Sequence, residues 1–335
     1  MELAIVADIG GTHTRMALAN VDNPSLEQIE IHKSSDAKDQ LVHLLIGLLR
    51  KHGAATIRSI VLAVAGPVDG RICHATNLDW ELDADAVERE LHSQGMRLKV
   101  WLINDLEAMA WGVGALSHED MVVLQKGAPI KDGPIAVIAS GTGLGEAIAI
   151  PINGGLKVLP TEGGHADFAP RTPKEDELLC FLRTLFPSHV SYERVLSGPG
   201  LRHLTMFLAE RSEDEGTRST AMSMLERGAD REVVARHTFC PVALEAANLF
   251  ADLLGAEAGN LALKCLPRGG LFVGGGLTLR LRRVVEERFL ESFLNKGRMR
   301  DLLASIPVHL VLNEQVGLLG ALRFAQFHRK IGALR

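Results

Sequence analysis

The chain reads as an α/β protein, with mixed sheets, crossover helices and two domains. Three observations carry this reading. Its 335 residues exceed what one core of ordinary size holds. The first third runs in the order β-β-β-α-β-α-β-α, which needs helices that cross between strands. The pattern then begins again near residue 135, so the glycine hairpins at 8–15 and 138–146 look like a weak internal duplication. Hydrophobic residues make up 47% and charged ones 23%, enough apolar surface for a sizeable core and too much for disorder.

Taken in order, Leu3–Ala7 is a strand, Gly10-Gly11-Thr12 a turn and Arg15–Ala19 a return strand. A third strand falls near 28–33. Leu41, Leu44, Leu45 and Leu48 recur at helical spacing within 36–52, with Ser35 or Asp36 as cap and Gly53 as stop. Ser59–Ala65 is a continuous apolar run of strand length, which marks a buried strand. Ala84–Ser93 is a helix and Leu98–Ile103 another buried strand. Asn104 and Asp105 then open a helix to about Ala115. The second round has a strand at Ile135–Ala139, a glycine turn and a return strand at Glu146–Ile150. Helices follow at about 174–186, 198–210 and 218–228, with 211–217 as a charged surface loop. A long helix over 231–265 should kink or split at Pro241. A strand at Leu271–Val273, a helix to about Phe293, a strand at Val308–Asn313 and a helix over 316–333 complete the chain.

Composition narrows the function. There are 36 basic and 41 acidic residues, a net charge of −5, so no basic footprint for nucleic acid or an acidic membrane exists. The four cysteines are far apart, with no C-x-x-C pair. They read as buried free thiols in a reducing cytosol, and the expected location is cytoplasmic. No signal peptide or membrane-spanning run is expected.

The glycine loops point to phosphate. In Asp8-Ile9-Gly10-Gly11-Thr12, two glycines free backbone N–H groups to meet an anion and Thr12 adds a hydroxyl. Asp8 could hold a hydrated Mg²⁺ beside it. Ser140-Gly141-Thr142-Gly143-Leu144-Gly145 carries G-x-G-x-G, but a dinucleotide-binding turn must open a helix, and a strand follows here. A second phosphate hairpin with Gly141, Thr142 and Gly143 fits better. Gly275 and Gly276 lie between a strand and a helix, where backbone approaches ligands closely. An ordinary β-turn is the bland alternative for each loop taken singly.

The polar candidates sit beside turns. Asp105 follows a buried strand, where the residue type favours a helix N-cap over a general base. Glu162 and His165 are separated by two glycines, which break the helix that joint metal ligation would need. They could bind sugar hydroxyls or form a plain polar loop. Glu193 could do the same or simply favour a helix start. Asn77 and Trp80 are weaker candidates, Asn77 as a sugar contact and Trp80 as a shield.

Five segments together resemble the bacterial glucokinases: Asp8-Ile9-Gly10-Gly11-Thr12, Leu102-Ile103-Asn104-Asp105, Glu162 to Phe168, Glu193 to Gly200, and Gly317-Leu318-Leu319-Gly320. Their order and spacing match along nearly the whole chain, and EGGHADFAP followed by ERVLSGPG is highly specific. The resemblance implies two ribonuclease-H-like domains of the actin and hexokinase type with an interdomain cleft. We expect residues 1–112 plus 317–335 in the smaller domain and 113–316 in the larger. It also implies ATP, Mg²⁺, a sugar substrate and a homodimer, with no nucleic acid, no membrane and no structural zinc. Carried over by position, Asp105 is the catalytic base, while Asn104, Glu162, His165 and Glu193 bind the sugar. The glycine loops receive the nucleotide phosphates. Two residues depart from the family pattern: His13 stands where many relatives have Asn, and Glu146 where a small apolar residue is usual. Gly112, Gly114 and Gly317 are candidate hinges. The implied reaction is phosphorylation of glucose at its 6-hydroxyl. A kinase for mannose or glucosamine and a sugar-responsive regulator on the same fold are the alternatives, with a nicotinamide-dependent oxidoreductase third.

Overall fold

A computed structural model describes residues 2–52, 57–75, 79–152 and 155–332. In chain order the first elements are β1 (Leu3–Ile9), β2 (His13–Asn20), β3 (Ser25–Lys33), α1 (Ser34–His52) and β4 (Ile57–Val64). A small hairpin sheet follows, β5 (Val68–Asp69), β6 (Ile72–Ala75) and β7 (Trp80–Asp83), then α2 (Ala84–Ser93), β8 (Lys99–Asn104) and α3 (Asp105–Gly112). After β9 (Met121–Gln125) come β10 (Ile135–Ser140), β11 (Leu144–Ile152) and β12 (Gly155–Thr161). The helices α4 (Pro173–Leu185), α5 (Gly198–Arg211), α6 (Glu215–Arg227), α7 (Ala229–Arg236) and α8 (Pro241–Cys265) form a block. The chain continues through β13 (Gly270–Gly274), α9 (Gly276–Arg280), α10 (Arg282–Leu294), α11 (Arg300–Ala304), β14 (Val308–Val311) and α12 (Val316–Gly332).

The chain forms two compact units. One holds Met1–Met121, Pro151–Pro160 and Asn313–Arg335; the other holds Val122–Ile150 and Thr161–Leu312. Residues 113–120 count with the first unit because their turns pack with α12: the guanidinium of Arg323 lies where a side chain on Gly114 would stand.

The first unit is a sheet in the order β3-β2-β1-β4-β8. β1 pairs antiparallel with β2 and parallel with β4, and β4 parallel with β8. Both faces of the sheet are covered, which is why its strands read as unbroken apolar runs. Ile5, Ile9, Ile60 and Leu62 face Leu41, Leu45, Leu48 and Leu49 of α1. Val6, Val61 and Ile103 face Leu318, Ala321 and Leu322 of α12. Each such side chain taken fully out of water contributes about 1.5–3 kcal/mol.

The second unit is built on strands in the order β11-β10-β13-β14-β9, while all but the last residue of β12 counts with the first unit. β10 pairs antiparallel with β11 and parallel with β13, and β13 parallel with β14. The long apolar helix does split at Pro241, which stands in the first turn of α8, where a missing N–H costs nothing. The axes of α7 and α8 differ by 100°. Sixteen residues of α8 are buried, so its even hydrophobicity is that of a core helix. Among the described residues no single helix is long and apolar enough to cross a membrane.

Several expectations are corrected. The charged loop shrinks to 212–214, because Asp214 caps α6 through the Thr217 N–H at 2.7 Å. The helix after Asn104 ends at Gly112, and 113–115 tighten into a 3-10 turn. Strands β5, β6, β7, β9 and β12 were not foreseen, being short or too polar to show alternation. The cysteines are free, but Cys180 is exposed rather than buried. The hinge glycines are packing glycines. A Cβ on Gly112 would lie 2.1 Å from the Val316 carbonyl oxygen, and one on Gly317 2.7 Å from the Asp8 carboxylate. Gly112 and Gly320, whose Cβ would meet the Ala108 carbonyl oxygen at 1.7 Å, let α3 and α12 touch backbone to backbone, while Gly317 makes room for Asp8.

Candidate active site

In the first unit, the turn after β1 is tight. Asp8 pairs with Arg15 and Ile9 with Thr14 across the hairpin. The Gly10 N–H closes the turn on the His13 carbonyl at 3.0 Å, so it is spent and cannot meet an anion as expected. Ser34, at the start of α1, braces the loop from below. Its hydroxyl donates to the Gly10 carbonyl at 2.6 Å and lies 3.1 Å from the Thr14 hydroxyl, and its N–H donates to the Thr12 carbonyl at 3.1 Å. Burial pushes the Asp8 carboxyl up to about 6, against the pull of Arg15.

At the end of β8 the N-cap question resolves. Asn104 is the cap: its Oδ1 accepts from the N–H groups of Leu106 at 2.9 Å and Glu107 at 3.3 Å, and its Nδ2 donates to the Gly66 carbonyl at 2.9 Å. Asp105 is the first residue of α3, and its Oδ1 accepts from the Leu106 N–H at 2.9 Å. Burial together with the Asp105 charge pushes the Cys73 thiol up to about 12. Asn77 lies outside the described residues. Trp80 begins β7 and packs half-buried on the α1 side of the sheet.

In the second unit, the β10–β11 hairpin has the same closure. The Gly141 N–H donates to the Gly143 carbonyl at 2.9 Å. Thr142 lies between them at the tip. Segment 193–198 braces this turn. The Glu193 carboxylate accepts from the Leu144 N–H at 3.0 Å, the Ser140 hydroxyl donates to the Leu196 carbonyl at 2.6 Å, and the Gly198 N–H donates to the Gly141 carbonyl at 2.9 Å. A Cβ on Gly141 would meet nothing within 4 Å, so the space above it is open. Gly275 differs: at φ 94° it is left-handed, and a Cβ there would lie 2.2 Å from the Ser140 carbonyl. It serves packing, while Gly276 opens the short helix α9.

Glu162 and His165 flank a 3-10 turn, Gly163–His165, and their side chains are mostly exposed, 4.0 Å apart. The two glycines between them are required by β11 beneath. A Cβ on Gly163 would lie 2.0 Å from the Glu146 carboxylate, and one on Gly164 2.1 Å from the Leu144 carbonyl. The turn is tied to the Glu193 segment. The Tyr192 N–H donates to the Ala166 carbonyl at 3.0 Å, the Phe168 N–H to the Val190 carbonyl at 2.9 Å, and Asp167 bridges Ser191. The structure thus brings together Gly141, Gly143, Glu162, His165 and Glu193 within one unit. Asp8, Gly10, Gly11, Thr12, Asn104 and Asp105 belong to the other.

Sequence reasoning missed Ser34, whose place at a helix start before an acidic residue was the available signal. It also missed Glu257, a lone carboxylate inside the apolar run of α8.

A family model described as Glucokinase matches residues 5–328. A glucokinase of Nostoc sp. is 38% identical over 341 residues, covering 96% of this chain and 98% of that protein. The crystal structure of a glucokinase from an Antarctic psychrotroph is 31% identical, with a TM-score of 0.74 over 97% of this chain and 98% of that one. The fold is also that of a glucokinase from Balamuthia mandrillaris in complex with glucose, with a TM-score of 0.77 at 24% identity. With a matching family model over nearly its whole length and the motif segments set as described, the chain belongs to the glucokinase family.

Proposed function

We propose that this chain transfers the γ-phosphoryl group of ATP to the 6-hydroxyl of glucose, with Asp105 taking the hydroxyl proton. The observation that carries the base assignment is that Asn104, and not Asp105, caps α3. The strand-to-helix junction therefore does not need the Asp105 carboxylate as its cap, and α/β folds present ligand-binding groups at such strand ends. Phosphoryl transfer passes through a loose transition state, so alignment and charge neutralisation do most of the work. A carboxylate in hydrogen-bond reach of the attacking hydroxyl supplies the rest. Glu162, His165 and Glu193 are the sugar partners in this reading, with Asn104 holding the strand end in place through Gly66. Ionised Glu accepts from hydroxyls and His donates or accepts, which suits vicinal hydroxyls.

The two glycine turns, with Thr12, Thr142 and the Gly276 helix start, take the phosphates. Asp8 fits a Mg²⁺ ion held through water. Burial pushes its carboxyl up to about 6, and a cation beside it would favour the ionised form that accepts from the ion's water. The ion, when bound, neutralises phosphate charge. The expected assembly is a cytoplasmic homodimer, which light scattering checks.

The test is a direct assay of sugar phosphate and ADP with ATP and glucose, mannose or glucosamine. Glucose 6-phosphate formed with the highest kcat/KM supports the reading. A preference for another hexose replaces the substrate, and ATP-independent sugar binding without product replaces the activity.

A further inference from the structure

Two carboxyl groups that the reaction above does not use meet in the core beneath the proposed sugar-binding turn. Glu146 projects from β11 and Glu257 from α8, with 2% and 0% of their surface exposed. The two groups are near enough for the Glu257 charge to act on the Glu146 carboxyl. Yet Oε1 of each has no donor to meet it if both are ionised. Ionised carboxylates are acceptors only, so a hydrogen bond between two of them requires a proton. The surroundings say which one holds it. Oε2 of Glu257 accepts from Asn260 Nδ2 at 2.8 Å, and Lys264 stands 3.9 Å from its Oε1. Burial raises the Glu257 carboxyl too, but Asn260 and Lys264 pull it the other way, which makes Glu257 the ionised member of the pair and Glu146 the acid.

Glu146 also carries the turn. Its Oε2 fills the space that a side chain on Gly163 would need. Its carbonyl accepts from the Thr161 hydroxyl at 3.2 Å, and that hydroxyl in turn accepts from the Gly163 N–H at 3.1 Å. We propose that Glu146 and Glu257 share one proton, and that this neutral contact seats the Gly163–His165 turn, making Glu146 a positioning residue for glucose. The glucose half of this rests on the reading that Glu162 and His165 bind the sugar.

Loss of the proton would set two buried carboxylates against each other directly under Gly163. Burial and the Glu257 charge push the Glu146 carboxyl up to about 8, with Lys264 pulling the other way. Neighbouring groups are shifted as well. Burial and Glu146 push the Cys265 thiol to about 11, and burial and Glu257 push the Tyr192 hydroxyl to about 12. Lys296, with Arg171 beside it, is lowered by burial from the ordinary lysine value.

The experiment measures glucose dissociation constants without ATP from pH 7 to pH 9, with infrared difference spectra of the sugar-free protein. In the wild type the dissociation constant should rise about tenfold across that range. In Glu146→Gln, whose amide donates to Glu257 at every pH, it should stay flat. The carbonyl stretch of an undissociated acid should be present in the wild type at pH 7 and lost in Glu146→Gln. Should Glu146→Gln not fold, Glu257→Gln serves: without the neighbouring charge, the inflection in glucose binding moves to lower pH. Identical glucose profiles in wild type and variant overturn the coupling, and absence of the acid band overturns the shared proton. Absence of glucose binding at pH 7 sinks the sugar reading, and the infrared result still decides the proton.

Discussion

The Gly10–Thr12 turn and the Gly141–Gly143 turn occupy the same place in two sheets of like order, β3-β2-β1-β4-β8 and β12-β11-β10-β13-β14. Each is closed by the N–H of its first glycine. What differs is the bracing. The first turn rests on Ser34, from the helix that follows the hairpin. The second rests on Glu193 and Gly198, about fifty residues away, in the segment that also anchors the Glu162–His165 turn. A ligand that moves the second turn must therefore move the proposed sugar residues with it, whereas the first turn is a local structure. Their charges also differ: the first turn follows a half-buried Asp8, and the second has Ala139 at the matching ladder position.

The largest effect tests the first unit alone. Asp105→Asn should lower kcat on the order of 10²–10⁴-fold with glucose affinity kept, because the amide preserves the contact to Leu106 and removes the base. Single-turnover kinetics and glucose titration check it, and activity within threefold of wild type removes Asp105 from the role. Next comes a contrast within the second unit. Gly275→Ala should lose on the order of 2–4 kcal/mol of stability, since its Cβ strikes the Ser140 carbonyl at a left-handed φ. Gly141→Ala should leave urea unfolding unchanged and weaken ATP, because the added methyl enters open space above the turn. If both variants unfold alike, the open space is not a ligand's.

The bracing difference predicts a split. Glu193→Ala strands the Leu144 N–H and should weaken both ATP and glucose by roughly 1–3 kcal/mol. Ser34→Ala should cost about 1 kcal/mol of stability and weaken ATP only. Equal losses for both ligands in Ser34→Ala would erase the distinction between the two turns. The smallest effect is a pH slope. The Asp8 carboxyl is raised in the folded chain, so the stability linked to it is full below the ordinary carboxylate range and is lost as pH rises through about 6. Asp8→Asn should flatten that part of the curve of melting temperature against pH. An unchanged slope would mean that Asp8 ionises as freely as in the unfolded chain.

The sequence by itself determined the central strands of the two large sheets and the glycine hairpins between them, because strands buried on both faces must be apolar throughout and glycines mark the turns. It also determined the division at Pro241, since a proline has no N–H to give to a helix interior. The polar positions beside the turns could be picked out, but not their duties. Asn104 and Asp105 are equally good helix caps by composition, and only the folded chain put Gly66 against one of them and so chose the cap. Gly112, Gly114 and Gly317 look alike in sequence, and only the groups that they meet, the Val316 carbonyl, the Arg323 guanidinium and the Asp8 carboxylate, show them to be contacts rather than hinges. Glu146 and Glu257 stand far apart in the chain, on a strand and a helix whose local patterns are apolar. Their meeting under Gly163 is a long-range contact, which no local periodicity encodes, and burial is what turns two ordinary acids into a pair that must share a proton.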